Sequence, residues 1–236
     1  MLQVRLLGEL LVEADGRQLV LTGSWRARSL LAWLALNPGP HPRGELAARF
    51  WPDVLDTSAR ASLRNALWAL RRELGADAGA LLATRERVGL QGAWTDVSEF
   101  ERLADGGSPQ GAVDLWRGEP LTGLDDDWAY EARDELNRRL AGVLEGLAAA
   151  AEQARDFESA VAWTRRRAAL DPLAEDAQRE LIRRLAERGD RAAALEVHAR
   201  LRERLRRELG ISPSAATREL VEQIRDEAGP APDRPV

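Results

Sequence analysis

The sequence predicts an α+β winged helix with an N-terminal β-sheet, followed by an all-α, tetratricopeptide-like helical domain. Three observations predict it. Short strand patterns open the chain, and helical patterns follow and close on a hairpin pattern near residue 90. Strand patterns are absent from Val97 onward. A 34-residue period then runs through the second half.

The opening strands are expected at Leu2 to Gly8, Leu10 to Val12 and Leu19 to Leu21, with a turn at Asp15-Gly16. Helical spacing begins at Trp25, with apolar residues at 30, 31, 33, 34 and 36 on one face. Asn37-Pro38-Gly39-Pro40 stops it. A short helix follows from Arg43 to Phe50. A long one starts near Asp56-Thr57-Ser58, three possible N-caps, and ends at Gly75. Leu81 to Thr84 and Val88 to Leu90 then flank a tight loop, as in a β-hairpin.

In the second half, Asp156 and Asp190, Ala160 and Ala194, Val161 and Leu195, and Leu147 and Leu181 are each 34 residues apart. Each copy has the pattern helix, tight turn (Arg155-Asp156, Gly189-Asp190), helix. That period with small alanines at the crossings is the signature of a tetratricopeptide repeat. Pro213 follows Pro172 by 41 residues, so the last helix of the second copy should be longer. The expected domains are 1–92, winged helix; 93–228, helical; and 229–236, a disordered tail.

Composition excludes several function classes. No cysteine is present, so disulfides, thiolate metal sites and cysteine nucleophiles are ruled out. The two histidines, His41 and His198, lie far apart in sequence and in different expected domains. Neither a metal nor a cofactor is expected. No signal-peptide pattern and no run of 18 apolar residues occurs, so a cytoplasmic protein with no membrane partner is expected. The acidic run Asp125-Asp126-Asp127 is expected to be a solvated loop rather than a catalytic site. The net charge of −5 splits into +3 over residues 1–92 and −8 over 93–236. A basic head on an acidic body suits contact with a polyanion through the head alone.

The helix from Thr57 to Leu74 carries the candidate chemistry. Leu63, Leu67, Leu70 and Leu74 form a core-facing stripe. Arg60, Arg64, Trp68 and Arg71 adjoin it, and Ala61, Asn65 and Arg72 lie opposite. Between 57 and 72 the helix holds four arginines and no acid, a repulsive arrangement that a polyanion would relieve. In a major groove, arginine can bond guanine bidentately and asparagine can bond adenine in the same way. Arg64 and Asn65 are therefore assigned to bases, and Arg60 and Arg72 to bases or flanking phosphates. Ser58 and Ala61 are small enough to permit close approach. Arg43 should cross the phosphates, while Arg85 and Arg87 at the hairpin tip should meet the adjacent minor groove or backbone. Trp68 is expected to pack against the hairpin or the second domain in preference to a base. The helix alone suits a solvated charged face equally well; basic residues on all three elements favour duplex DNA.

These residues also resemble a known family, the Streptomyces antibiotic regulatory proteins, which join a response-regulator-type winged helix to a bacterial transcriptional activation domain. The resemblance rests on Leu30-Leu31-Ala32-Trp33-Leu34-Ala35-Leu36-Asn37-Pro38-Gly39, on Arg43-Gly44-Glu45-Leu46 with Phe50-Trp51-Pro52-Asp53, and on Leu63-Arg64-Asn65-Ala66-Leu67 through Gly75. Further on it rests on Thr95 to Phe100, Leu115 to Leu121, Trp128-Ala129, Gly189-Asp190 and Leu205 to Pro213. It spans roughly residues 2–225. The resemblance implies a transcriptional activator that binds direct repeats near a promoter, as a side-by-side homodimeric pair, and recruits RNA polymerase. The sequence has no GxxxxGK[ST] phosphate loop, so the ATPase domain of larger members is not expected in it. The alternative is a protein-interaction adaptor whose winged helix does not bind DNA.

Overall fold

The structure is a computed structural model that describes residues 1–226; the tail expected at 229–236 lies outside the described residues. The chain is mostly helical with two small sheets. It divides into two compact units, Met1–Asn137 and Arg138–Val236.

The first unit opens with β1 (Leu2–Arg5), β2 (Leu11–Ala14) and β3 (Arg17–Leu19). Then come α1 (Trp25–Leu36), β4 (His41–Pro42), α2 (Arg43–Phe50) and α3 (Asp56–Leu74). A 3-10 turn, Gly75–Ala80, leads into β5 (Leu81–Ala83), β6 (Arg87–Leu90) and β7 (Trp94–Thr95). Next are α4 (Asp96–Asp105), α5 (Pro109–Asp114) and α6 (Asp127–Gln153), which runs through the unit boundary. One sheet has the order β3-β2-β1-β7 and the other β4-β6-β5.

The third strand lies earlier than expected. Asp15 and Gly16 both have positive φ (48° and 76°), a two-residue turn that pairs Arg17 with Ala14 at once. Pairing ends at Val12–Leu19, which leaves Val20 exposed. The expected division at residue 92 falls within the first unit. There β7 pairs in parallel with β1. Buried Asp96 (1% exposed) accepts the backbone N–H groups of Leu6 at 2.7 Å and Leu7 at 3.0 Å. Burial pushes the Asp96 carboxyl up, against these two bonds and the Arg117 guanidinium, which pull it down. The acidic run is not wholly solvated either. Asp126 accepts from the buried Ser29 hydroxyl at 2.5 Å, and the same hydroxyl accepts from Trp128 Nε1 at 3.2 Å.

The second unit continues with α7 (Phe157–Leu170), α8 (Glu175–Glu187), α9 (Arg191–Leu209) and α10 (Ala215–Asp226). The 34-residue period corresponds to two equivalent helix starts. Asp156 caps α7 by accepting from Ser159 N at 3.0 Å, and Asp190 caps α9 by accepting from Ala193 N at 3.1 Å. The preceding residues, Arg155 and Gly189, share left-handed φ values of 60° and 88°. Ala160 and Ala194 are both buried. Helix α9 has 19 residues against 14 in α7, the lengthening expected from the displaced proline.

An ion-pair network links α6, α7 and α8. Arg184, only 4% exposed, donates to Glu145 at 2.7 Å, Glu152 at 3.0 Å and Thr164 Oγ1 at 2.7 Å. Arg183 binds Glu152 at 2.7 Å and Glu187 at 2.6 Å. The hydrogen bond from Arg183 outweighs the opposing effect of burial and, with Arg184 adding to it, lowers the Glu152 carboxyl to about 2. In the unfolded chain that carboxyl titrates near its ordinary value of 4.5. Its contribution is therefore complete above about pH 5 and lost as pH falls toward about 2. Urea unfolding should show Glu152→Gln clearly less stable than the native chain near neutral pH, with the difference narrowing at about pH 3. A difference independent of pH would contradict this reading.

Candidate nucleic-acid interface

Helix α3 buries the expected stripe: Leu63, Leu67, Leu70 and Leu74 all lie in the core. The opposite side is open. Thr57, Ser58, Arg60, Arg64, Asn65, Trp68, Arg71 and Arg72 are exposed, and Ala61 is half-buried among them. The helix begins at Asp56, the first of the three expected N-caps, so all three lie inside it. Leu55 occupies the cap position and no side chain caps the helix. Asp56 lies in the first turn and holds Arg60 at 2.9 Å. The acid that seemed missing from this face thus stands one residue outside the stretch 57–72, where it also complements the helix dipole.

Three guanidinium groups fasten the hairpin β5–β6 to α2, to α3 and to the turn before β4. Arg43 at the start of α2 donates Nη1 to Thr84 O at 2.9 Å, and its backbone N–H binds Glu86 O. Arg87 donates Nη1 to Pro40 O at 2.9 Å, and Arg71 donates Nη2 to Leu81 O at 3.3 Å. Arg87 is the first residue of β6, opposite Pro42 in β4, so it flanks the hairpin tip rather than forming it. Each guanidinium has five N–H donors, so each keeps others for an incoming anion. Burial, then the nearby charges of Arg64 and Arg71, holds Arg43 below its usual value. The side chains of Arg64 and Asn65 on α3 and of Arg85 at the tip make no hydrogen bond or ion pair among the described residues.

Hairpin placement also depends on Gly89. A Cβ there would lie 2.5 Å from Gly39 O, a backbone atom with little room to move. Gly89→Ala should therefore displace β6 and destabilise the first unit by about 1–3 kcal/mol, as overpacking does. Unchanged thermal unfolding of that variant would contradict the close approach.

Trp68 does not pack against the hairpin. It is 63% exposed, with the Arg72 guanidinium 4.8 Å from its ring centre. The reason is angular. Position 68 falls between Arg64 and Arg72 at four-residue steps, in the middle of the open face and away from the leucines. Sequence reasoning also missed a groove beside Asn65, formed by Ser62 and Asn65 of α3 with Ser24, Trp25, Arg26 and Trp51. Trp25 is exposed, and the buried Arg26 Nε has no partner. The polar and aromatic run Ser24-Trp25-Arg26 at the start of α1 was the available signal.

The face therefore presents unpaired hydrogen-bonding groups in the centre and fastened arginines along the hairpin edge. A polyanionic rod with hydrogen-bonding groups in a groove matches that pattern. Among the described residues no group of acids and histidines could hold a metal ion, and no helix is long and apolar enough to cross a membrane.

Comparison with known proteins places the chain in a family. The family model described as bacterial transcriptional activator domain matches residues 95–225. The regulatory protein AfsR of Streptomyces coelicolor is 30% identical over 242 residues, covering 94% of this chain and 24% of AfsR. AfsR of Streptomyces griseus is 28% identical over 224 residues, covering 89% of this chain and 23% of that protein. The chain thus spans about a quarter of the length of these relatives. A solved structure of Mycobacterium tuberculosis EmbR, in complex with a low-affinity phosphopeptide, superposes with a TM-score of 0.72. It is 24% identical and covers 96% of this chain and 65% of that one, so the two share a fold. The family match covers more than half of the sequence, and both sequence relatives are regulatory proteins. The chain belongs to the bacterial transcriptional activator domain family.

Proposed function

We propose that this chain is a cytoplasmic, non-enzymatic activator of transcription that binds double-stranded DNA through the exposed face of α3. Residues 1–92 supply a winged helix, and residues 93–228 a tetratricopeptide-like domain that contacts the transcription machinery. Helix α3 lies in the major groove, with Arg64 and Asn65 at base edges and Arg60 and Arg72 at bases or flanking phosphates. Arg43, Arg71, Arg85 and Arg87 meet the backbone on the hairpin side. Two copies bind direct repeats side by side near a promoter and recruit RNA polymerase. Trp68, exposed on the same face, offers an apolar plate to a thymine methyl or a sugar.

The observation that carries this reading is the open cationic side of α3, with Arg64 and Asn65 unengaged at its centre. Selection of duplexes from a random library with the full chain tests it. Recovered sites should contain direct repeats, and adding the chain to RNA polymerase on such a promoter should raise transcript yield. Failure to enrich any sequence would overturn DNA recognition. Reduced transcript yield would overturn activation.

A further inference from the structure

A cavity of about 200 Å³ lies in the second unit between α9, the Ser212-Pro213 turn and α10. His198, Arg202, Ser212, Arg218, Glu222 and Arg225 supply its polar lining. Three guanidinium groups against one carboxylate leave a net charge of +2, within an acidic half of the sequence. Arg202 and Arg225 form no ion pair among the described residues. Arg218 donates Nη1 to Pro213 O at 2.8 Å, which fastens the turn and leaves its other N–H groups available.

His198 supplies an unpartnered polar atom at the cavity wall. It is 8% exposed, and its Nε2 has no hydrogen-bond partner. Buried polar side-chain atoms nearly always have one. Burial first, then the charges of Arg225 and Arg202, hold its pKa below the ordinary histidine value, so the ring is neutral near pH 7 and can present Nε2–H as a donor. Imidazole, serine hydroxyl and paired guanidiniums together offer more donors than a carboxylate's two oxygens can use. A phosphoryl dianion can accept from all of them. Pockets for drug-sized ligands measure roughly 300–1,000 Å³, so this one admits a phosphoryl group with a short organic stem and no nucleotide.

We propose that the cavity between α9 and α10 binds the phosphoryl group of a small phosphate monoester, held by Arg202 and Arg225 with His198 and Ser212 as neutral donors. The site lies outside the DNA-facing residues, and its occupancy is separable from DNA recognition.

The chain has two histidines, so its imidazole NMR signals provide both probe and control. Titrating the full chain with inorganic phosphate, and separately with glycerol phosphate, should give a saturable shift of the His198 ring signals and none at His41. Sodium chloride at matched ionic strength should not reproduce it. The double variant Arg202→Gln/Arg225→Gln should lose about tenfold or more in affinity, since each lost charge-assisted contact contributes at least that much. Its thermal unfolding and its DNA affinity should stay unchanged; the single variants serve if the double variant unfolds. The proposal is overturned by an unsaturable shift, equal shifts at both histidines, or unchanged affinity in the variants. Binding of inorganic phosphate without the ester would reduce the site to a bare anion site. Loss of DNA affinity in the variants would make it a DNA-backbone contact instead.

Discussion

Raising the salt concentration from about 50 to about 200 mM should weaken binding of one copy to its DNA site by roughly 10³-fold. The expectation comes from the arginines at the candidate face. In the proposed complex Arg43, Arg60, Arg71, Arg72, Arg85 and Arg87 would meet phosphates, about six contacts. Each phosphate neutralised releases condensed counterions, with a slope near −0.9 per contact. Side-by-side binding of two copies steepens the dependence. The arginines should not contribute alike. The Arg85 side chain bonds nothing among the described residues, so Arg85→Ala should reduce the slope by about one and weaken all sequences equally. Arg43, Arg71 and Arg87 also fasten the hairpin, so their removal should cost both charge and order. Fluorescence anisotropy across a salt series measures both quantities. An affinity that is flat with salt would contradict the assignment.

Arg184→Ala should lower the unfolding free energy of the second unit by about 3 kcal/mol, with a fall in melting temperature of about 10 °C or more. Arg184 is nearly enclosed and serves two carboxylates and a hydroxyl at once. Removing it leaves Thr164 Oγ1 without a donor and Glu145 facing Arg167 at 3.7 Å. Glu152 keeps Arg183, so the effect belongs at the lower end of what breaking a buried charge cluster costs. The exposed pair Arg200–Glu196, 3.1 Å apart, offers a contrast. Its loss should change stability by less than about 1 kcal/mol. Equal effects from Arg184→Ala and Arg200→Ala, compared by urea unfolding, would contradict the role given to the network.

How much of this was legible in the sequence depended on the range of the interactions. The leucine stripe of α3, its stop at Gly75 and the 34-residue period rest on spacing within one helix or one repeat, and the structure contains all three. The two-residue strands β4 and β7 are too short to carry an alternation, and they exist because longer neighbours pair with them. Asp96 is the first residue of α4. Its bonds to Leu6 and Leu7 join residues 90 positions apart, beyond any local pattern.

At the candidate interface the residue types were readable and their engagement was not. Arg60 and Arg64 look alike in the sequence; one is held by Asp56 and the other is unpaired among the described residues. Arg85 and Arg87 are two residues apart, yet only Arg87 binds a backbone carbonyl. Trp68 is large and apolar, which favoured burial, but the helical angle places it among the arginines.

The decisive measurement compares Arg64→Ala and Asn65→Ala with the native chain on two duplexes at one salt concentration, the selected site and a random sequence. Insertion of α3 into the major groove predicts a loss of about 1–3 kcal/mol for each variant on the selected site, with little change on the random one. Equal losses on both duplexes, or none on either, would show that this side of α3 does not recognise bases.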